Sequence, residues 1–176
     1  MSFLKGKTAM ITGAGYSVLS DGKCGSIGYG IATAYAKEGA NLVITGRTLS
    51  RLESAKERLE AEYGVKVLPI VADGEDESAI KDVVAQTIAT FGKINTLVNN
   101  AQVSKSGLPL IEHTKEDLDL SIHSGLYAAF FYMRECHPYL KESKGSVINF
   151  ASGAGLFGKL GQSSYAAAKE GIRGLS

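Results

Sequence analysis

The chain carries almost no net charge: nineteen lysines and arginines stand against eighteen aspartates and glutamates, leaving +1 over 176 residues. Without a basic excess there is no electrostatic reason to propose nucleic acid or an anionic membrane as a partner. Cysteine is scarce as well. Cys24 and Cys136 are far apart and match neither a CxxC nor a metal-ligand spacing, so they read as free thiols of a reducing compartment, with no metal site expected. Long apolar runs are missing too. The longest, around Leu126 to Met133, is far too short to span a bilayer, and the opening MSFLKGKTAM lacks the apolar core of a secretory signal. These absences together lead to the expectation of a cytoplasmic protein. What remains is the composition of an ordinary globular chain, 44% hydrophobic and 21% charged. It is long enough for one domain, taken as residues 1–176, with a substantial core.

Strand-like and helix-like segments alternate along the chain. KTAMIT (7–12) is a short strand running into glycines, and IGYGIATAYAKEG (27–39) has helical apolar spacing and a glycine stop. NLVIT (41–45) is a second strand. A helix is expected from Ser50, where Ser-Arg-Leu-Glu reads as a capping box, to Gly64. VKVLPIVAD (65–73) predicts a third strand, 75–91 a helix closed by Gly92, and INTLVNNA (94–101) a fourth strand. One long helix is predicted over about 114–140, a fifth strand in GSVINFAS (145–152), and a last helix from about Ser163. Nearly continuous apolar strands alternating with helices argue for an α/β fold, a doubly wound parallel sheet with helices on both faces. In such sheets the ligand lies beyond the carboxyl ends of the strands. Thr12-Gly13, Thr45 to Arg47, Ala72-Asp73, Asn99 to Gln102 and Ala151-Ser152 are therefore expected to face one crevice.

The glycines after the first strand supply the backbone N–H groups and helix N-terminus that a pyrophosphate needs. The strict GxGxxG spacing fails, because residues 16–24 are inserted between Gly13-Ala-Gly15 and Gly25 to Gly30. Ser26-Ile27-Gly28 still places small residues where the helix opens, so the turn keeps both ends and the insert bulges outward. Lys23, inside the insert, is either a phosphate partner or a solvated side chain. At the end of the second strand, Thr45-Gly46-Arg47 has an arginine and no carboxylate. An acidic residue there would bind an adenosine 2′-hydroxyl. An arginine can pair with a 2′-phosphate and cover the adenine face, or be merely solvated. The expectation is NADP(H), with NAD(H) still open.

Tyr165 and Lys169 lie four apart on the last predicted helix and share a face. A free tyrosine, with a pKa of about 10, is a poor base at neutral pH; nearby cations favour its phenolate. Tyr165 can then exchange a proton with a substrate oxygen, and Ser152 can hold that oxygen by a hydrogen bond. A Tyr-x-x-x-Lys pair alone is common on helix surfaces. It acquires meaning beside the glycine loop and Ser152.

In that combination the chain resembles the short-chain dehydrogenase/reductase family from end to end. Thr12-Gly13 with Ser26-Ile27-Gly28 resembles the family's cofactor loop, and Asp73 its adenine-contacting aspartate. Asn99-Asn100-Ala101-Gln102 resembles its Asn-Asn-Ala-Gly; Ser152, Tyr165 and Lys169 resemble its catalytic triad, with the same thirteen-residue step from serine to tyrosine. The resemblance implies a Rossmann-like fold, with Lys169 also holding the nicotinamide ribose, and Gly13, Ser26, Ile27, Gly28, Arg47, Asp73, Asn99 and Ala101 around the cofactor. It further implies a homodimer or homotetramer built on the long helix and the last one, whose apolar residues Leu126, Phe130, Phe131, Met133, Ala166, Ala167 and Ile172 exceed what one sheet face needs. Three departures stand out. Gln102 replaces a glycine, Gly125 occupies the usual asparagine position, with His123 nearby as a surface or packing residue, and the chain stops at Ser176. The family continues for two further strands and a substrate-covering segment, so the chain as written is expected to bind cofactor weakly and turn over poorly. The expected activity is interconversion of a secondary alcohol and a ketone. Val103, Leu108, Leu110, Leu156, Phe157 and Leu160 point to a bulky lipid-like substrate, or are core residues, and the overall pattern resembles bacterial hydroxysteroid dehydrogenases. SIGYGIA also resembles enoyl-acyl-carrier-protein reductases, whose tyrosine and lysine stand further apart. A cofactor-binding protein without turnover is the remaining alternative.

Overall fold

The computed structural model describes residues 2–22 and 25–176. Lys23 and Cys24, and with them part of the insert's reading, lie outside the described residues. Five parallel strands, β1 (Thr8–Thr12), β2 (Asn41–Gly46), β3 (Val67–Val71), β4 (Thr96–Asn99) and β5 (Ser146–Asn149), form one sheet in the order β3-β2-β1-β4-β5. The order reverses between β1 and β4, which are paired at Ala9–Thr96, Met10–Leu97 and Ile11–Val98. This is the doubly wound arrangement the alternation predicts. The reversal also places a crevice beyond the ends of β1 and β4.

Alternation along the strands divides the core in two. Ala9 and Ile11 of β1 with Leu42 and Ile44 of β2 face α1 (Ile27–Lys37) and α2 (Leu49–Tyr63). Met10 and Val43, one residue out of phase, face α3 (Glu77–Phe91) and α5 (Ala128–Ser143) through Ile80, Val83, Tyr132 and Cys136. Period-two side-chain direction, with both faces apolar, is why these strands read as continuous apolar runs. Burial pushes the Cys136 thiol up to about 12, so the side chain packs there as a neutral hydrophobe.

Several boundaries differ from the sequence expectation. The capping box at Ser50 is not formed: α2 starts at Leu49 with Thr48 extended before it, so Ser50 is already helical and cannot adopt the cap conformation. A capping box exists instead at Thr114 and Asp117, opening α4 (Lys115–Ser121). The long helix predicted over 114–140 is three pieces. Between α4 and α5 a π-helical turn spans Ile122–Tyr127 and contains Gly125. Ser124 holds this turn off the regular ladder: its hydroxyl bonds the carbonyls of Leu120 (2.5 Å) and Val103 (2.9 Å) and accepts from the Val103 N–H (3.0 Å). After β5 the chain adds a short helix, α6 (Gly153–Phe157), before α7 (Ser163–Leu175). β5 pairs only with β4 among the described residues, and its Val147 and Ile148 are each 40% exposed.

Candidate active site

The ends of β1 and β4 are tied together by one hydroxyl. Thr12 Oγ1 accepts the N–H groups of Asn100 and Ala101, both at 3.0 Å, and Asn100 Nδ2 donates to the Thr12 carbonyl at 2.9 Å. Two glycines make this close approach possible. Gly13 turns with φ +68°, and a Cβ there would meet Ala101 at 3.0 Å. A Cβ on Gly28 would overlap the Gly13 carbonyl and come within 2.8 Å of Asn100 Nδ2. The N-terminus of α1 therefore sits directly against the turn, with Ser26 as its cap accepting from the Tyr29 N–H at 3.2 Å. The insert stays attached at both ends, through Tyr16 N–H to the Arg51 carbonyl (2.9 Å) and Gly25 N–H to the Ser17 carbonyl (3.0 Å).

A cleft of about 430 Å³ opens at this point, lined by Gly13, Ile27, Gly28, Arg47, Asp73, Asn99, Ala101 and Gln102, with Gly125 and Ile172 also in its wall. That volume suits a small-molecule site. A polar hollow adjoins it, walled by Ser17, Ser26, Arg47, Thr48 and Arg51. Arg51 is a residue the sequence reading missed. It lies in the first turn of α2, two residues past the helix start, while Arg47 precedes the helix, so no helical spacing in the sequence links the two. Together the two guanidiniums make a cationic end beside the α1 N-terminus. Asp73 faces the cleft, its carboxylate accepting the Glu75 N–H at 3.1 Å.

Ser152, Tyr165 and Lys169 are not among the residues that wall this cleft. Four of the five strand ends open on it. The fifth does not, because β5 ends at Asn149 and the chain turns at Ser152 into α6. Ser152 borders a neighbouring shallow hollow and caps α6, accepting the Ala154 N–H at 3.2 Å. The helix α7 bridges the two hollows. Its Ile172 walls the cleft, and α6 packs on it so tightly that a Cβ at Gly155 would stand 3.0 Å from the Glu170 nitrogen. On α7, Lys169 is buried, donates to the Phe150 carbonyl at 2.6 Å, and places its Nζ 5.6 Å from the centre of the Tyr165 ring. Burial disfavours its charged form and lowers its pKa to about 8. His123 packs its ring 4.9 Å from that of Tyr127, as a packing histidine would. Of the apolar residues assigned to an outer helix face, Ile172 is buried, and Phe131 and Met133 pack against the core. Leu126 and Phe130, also assigned to that face, do line an outward hollow, together with Tyr127 and Leu175.

Sheet order, glycine turn and cleft define a doubly wound α/β protein of the dinucleotide-binding class. The family model described as short chain dehydrogenase matches residues 7–176, and the chain belongs to that family of oxidoreductases. It is 62% identical over its whole length to a 12alpha-hydroxysteroid dehydrogenase of a Clostridium species, covering 67% of that protein. It is 33% identical over 98% of its length to a 3-oxoacyl-(acyl-carrier-protein) reductase of Thermotoga maritima, covering 66% of it. The L-sorbose reductase of Gluconobacter frateurii, solved with NADPH and L-sorbose, superposes with a TM-score of 0.89 at 28% identity, over 98% of this chain and 62% of that one. The chain thus spans about two thirds of the length of these relatives.

Proposed function

We propose that the protein is an NADP(H)-dependent oxidoreductase that interconverts a secondary alcohol and a ketone on a bulky apolar substrate of the hydroxysteroid class. The observation that carries this reading is the buried Lys169, held by the Phe150 carbonyl with its amine over the Tyr165 ring. A buried cation without a carboxylate partner is costly, and a site that moves a proton at the neighbouring phenol gives a reason to keep it. The residues present fit a phosphorylated dinucleotide: Gly13, Ile27 and Gly28 bring the glycine turn and the α1 N-terminus into the cleft wall, which suits a pyrophosphate, and Arg47 and Arg51 suit a 2′-phosphate. When bound, the nicotinamide supplies or accepts the hydride. Tyr165 gives a proton to the substrate oxygen or takes one from it. Lys169 faces that ring with its charge, and by the family resemblance also holds the ribose. Ser152 uses a lone pair to cap α6, which leaves its O–H to donate to the substrate oxygen.

The substrate class draws support from the 62% identity to a hydroxysteroid dehydrogenase. It draws further support from exposed apolar side chains beside Ser152. Leu156 walls the hollow that Ser152 borders and is 58% exposed, and Phe157 and Leu160, which follow it in the chain, are 84% and 95% exposed. Exposed apolar side chains beside a site suit an apolar ligand. The test is NADP⁺ reduction by the purified protein with a panel of hydroxysteroids, 3-hydroxyacyl thioesters and sugar alcohols, beside a Tyr165→Phe variant. Turnover of a hydroxysteroid alone, abolished in Tyr165→Phe with cofactor affinity intact, is the expected result. Activity retained in Tyr165→Phe, or confined to thioesters, would refute it.

A further inference from the structure

Where the cleft meets α7, a side chain replaces what the backbone lacks. Gly125 sits in the π-helical turn, and the Gln102 carboxamide lies flat upon it: a Cβ at Gly125 would be 2.7 Å from Gln102 Cδ, 2.9 Å from Nε2 and 3.0 Å from Oε1. Gln102 Nε2 donates to the Ser121 carbonyl at 3.4 Å. Ser121 is fully buried at the end of α4, and its hydroxyl meets that of Ser164 at 3.1 Å. Ser164 is buried too, and it immediately precedes Tyr165 on α7. Gln102 Oε1 is buried without a partner. A purely structural position would more economically hold an apolar side chain than a carboxamide satisfied on one side only.

We propose that Gln102 is a positioning residue: wedged on Gly125 and bonded to Ser121, it clamps the π-helical turn, and the Ser121–Ser164 hydroxyl pair carries that constraint to the helix bearing Tyr165 and Lys169. The cleft wall and the proton-handling helix are thereby held in one register. The role assigned to Tyr165 and Lys169 rests on the function proposed above, whereas the register itself can be measured without turnover.

The measurement is the titration of Lys169 by NMR of the reductively ¹³C-methylated chain, its signal assigned with Lys169→Arg. The amine owes its low value to burial between α7 and the end of β5, so a shift of α7 lets water in and raises the midpoint. Gln102→Met, Gly125→Ala and Ser164→Ala should each raise it by at least half a pH unit, and Ser164→Thr, which keeps the hydroxyl, should restore it. Ser121→Ala with Ser164→Ala should go no further than either alone, since both break one link. Cys136→Ala, a cavity in the core between the sheet, α3 and α5 that contains neither Ser121 nor Ser164, should leave the midpoint in place while lowering stability. In turnover, Ser164→Ala should lower kcat several-fold at unchanged cofactor KM. Midpoints that stay put in the relay variants, or move as far in Cys136→Ala, would overturn the relay. If Gly125→Ala does not fold, Ser164→Ala and its threonine rescue decide alone. An inactive protein with relay-dependent midpoints would overturn the proposed function and leave this inference standing.

Discussion

A single methyl group at Gly28 tests the geometry on which the cleft depends. The Cβ of Gly28→Ala would overlap the Gly13 carbonyl and lie 2.8 Å from both the Gly13 carbonyl carbon and Asn100 Nδ2. Two of those three atoms are backbone, so no side-chain rotation relieves the clash and α1 must back away from the turn. Overpacking of this kind costs about 1–3 kcal/mol. The Asn100 bond to the Thr12 carbonyl, 2.9 Å long and in the path of the methyl, adds about 1 kcal/mol when lost. Alanine returns roughly 0.5–1 kcal/mol of helix propensity, so the net loss is about 1–3 kcal/mol. At about 2–4 °C per kcal/mol for a chain of this size, Tm should fall by roughly 2–12 °C. Gly30, two residues on, is exposed with nothing within 4 Å of its Cβ position. Gly30→Ala should therefore raise Tm by about 1–4 °C, from propensity alone. Thermal melts of the two variants, with a dinucleotide titration of each, make the test. NADPH binding should weaken at least tenfold in Gly28→Ala and stay constant in Gly30→Ala. A Gly28→Ala protein that melts at or above the parent would refute the packing argument.

Removing either guanidinium, Arg47→Ala or Arg51→Ala, should weaken NADPH by about 1–3 kcal/mol, the range for bonds to charged groups, and barely change NADH; equal losses on both cofactors would contradict the 2′-phosphate assignment. The Lys169 amine should titrate near pH 8 by NMR, not near 10.5. Its folded value lies below the unfolded one, so the unfolded chain holds more protons between those limits and stability gains as pH rises through them. Lys169→Met should remove that gain from the pH dependence of urea unfolding, and an identical profile in both proteins would count against it. The hollow lined by Leu126, Tyr127, Phe130 and Leu175 is expected to be an oligomer face, since Phe130 is 42% exposed on the outside of α5. Phe130→Asp should reduce the mass by light scattering to that of a monomer with little change in Tm, whereas an unchanged mass would move the interface elsewhere.

The middle of the sheet could be read from the sequence because β1 and β2 bury both faces, and a run such as NLVIT has no other plausible place in a chain of this composition. The glycine turn was readable for a related reason. Gly13 and Gly28 are required by contact with Ala101, Asn100 and each other, and small residues in that pattern mark such contacts. Side-chain bonds that redirect the backbone were not readable. Ser124 opens a π turn by bonding Val103, twenty-one residues away, and no local pattern in 114–140 reports that. Thr48, not Ser50, precedes α2, because either residue type satisfies the local preference and the end of β2 decides where the helix starts. Arg51 was hidden by the same boundary: with the helix begun at Leu49, its side chain is carried back over the turn beside Arg47.

Net charge is the poorest guide to this site, for a physical reason. A total of +1 sets the long-range field, which falls off within a Debye length of about 8–10 Å. A bound ligand feels groups much nearer than that. Arg47 and Arg51 wall the polar hollow that adjoins the cleft, beside Ser26 at the α1 N-terminus, although the molecule as a whole is nearly neutral. A phosphorylated group would gain there. Reversing that local charge, with Arg47→Glu and Arg51→Glu together, should remove any preference for a 2′-phosphate. It should leave the titration of Lys169, which is held by the Phe150 carbonyl, as it was.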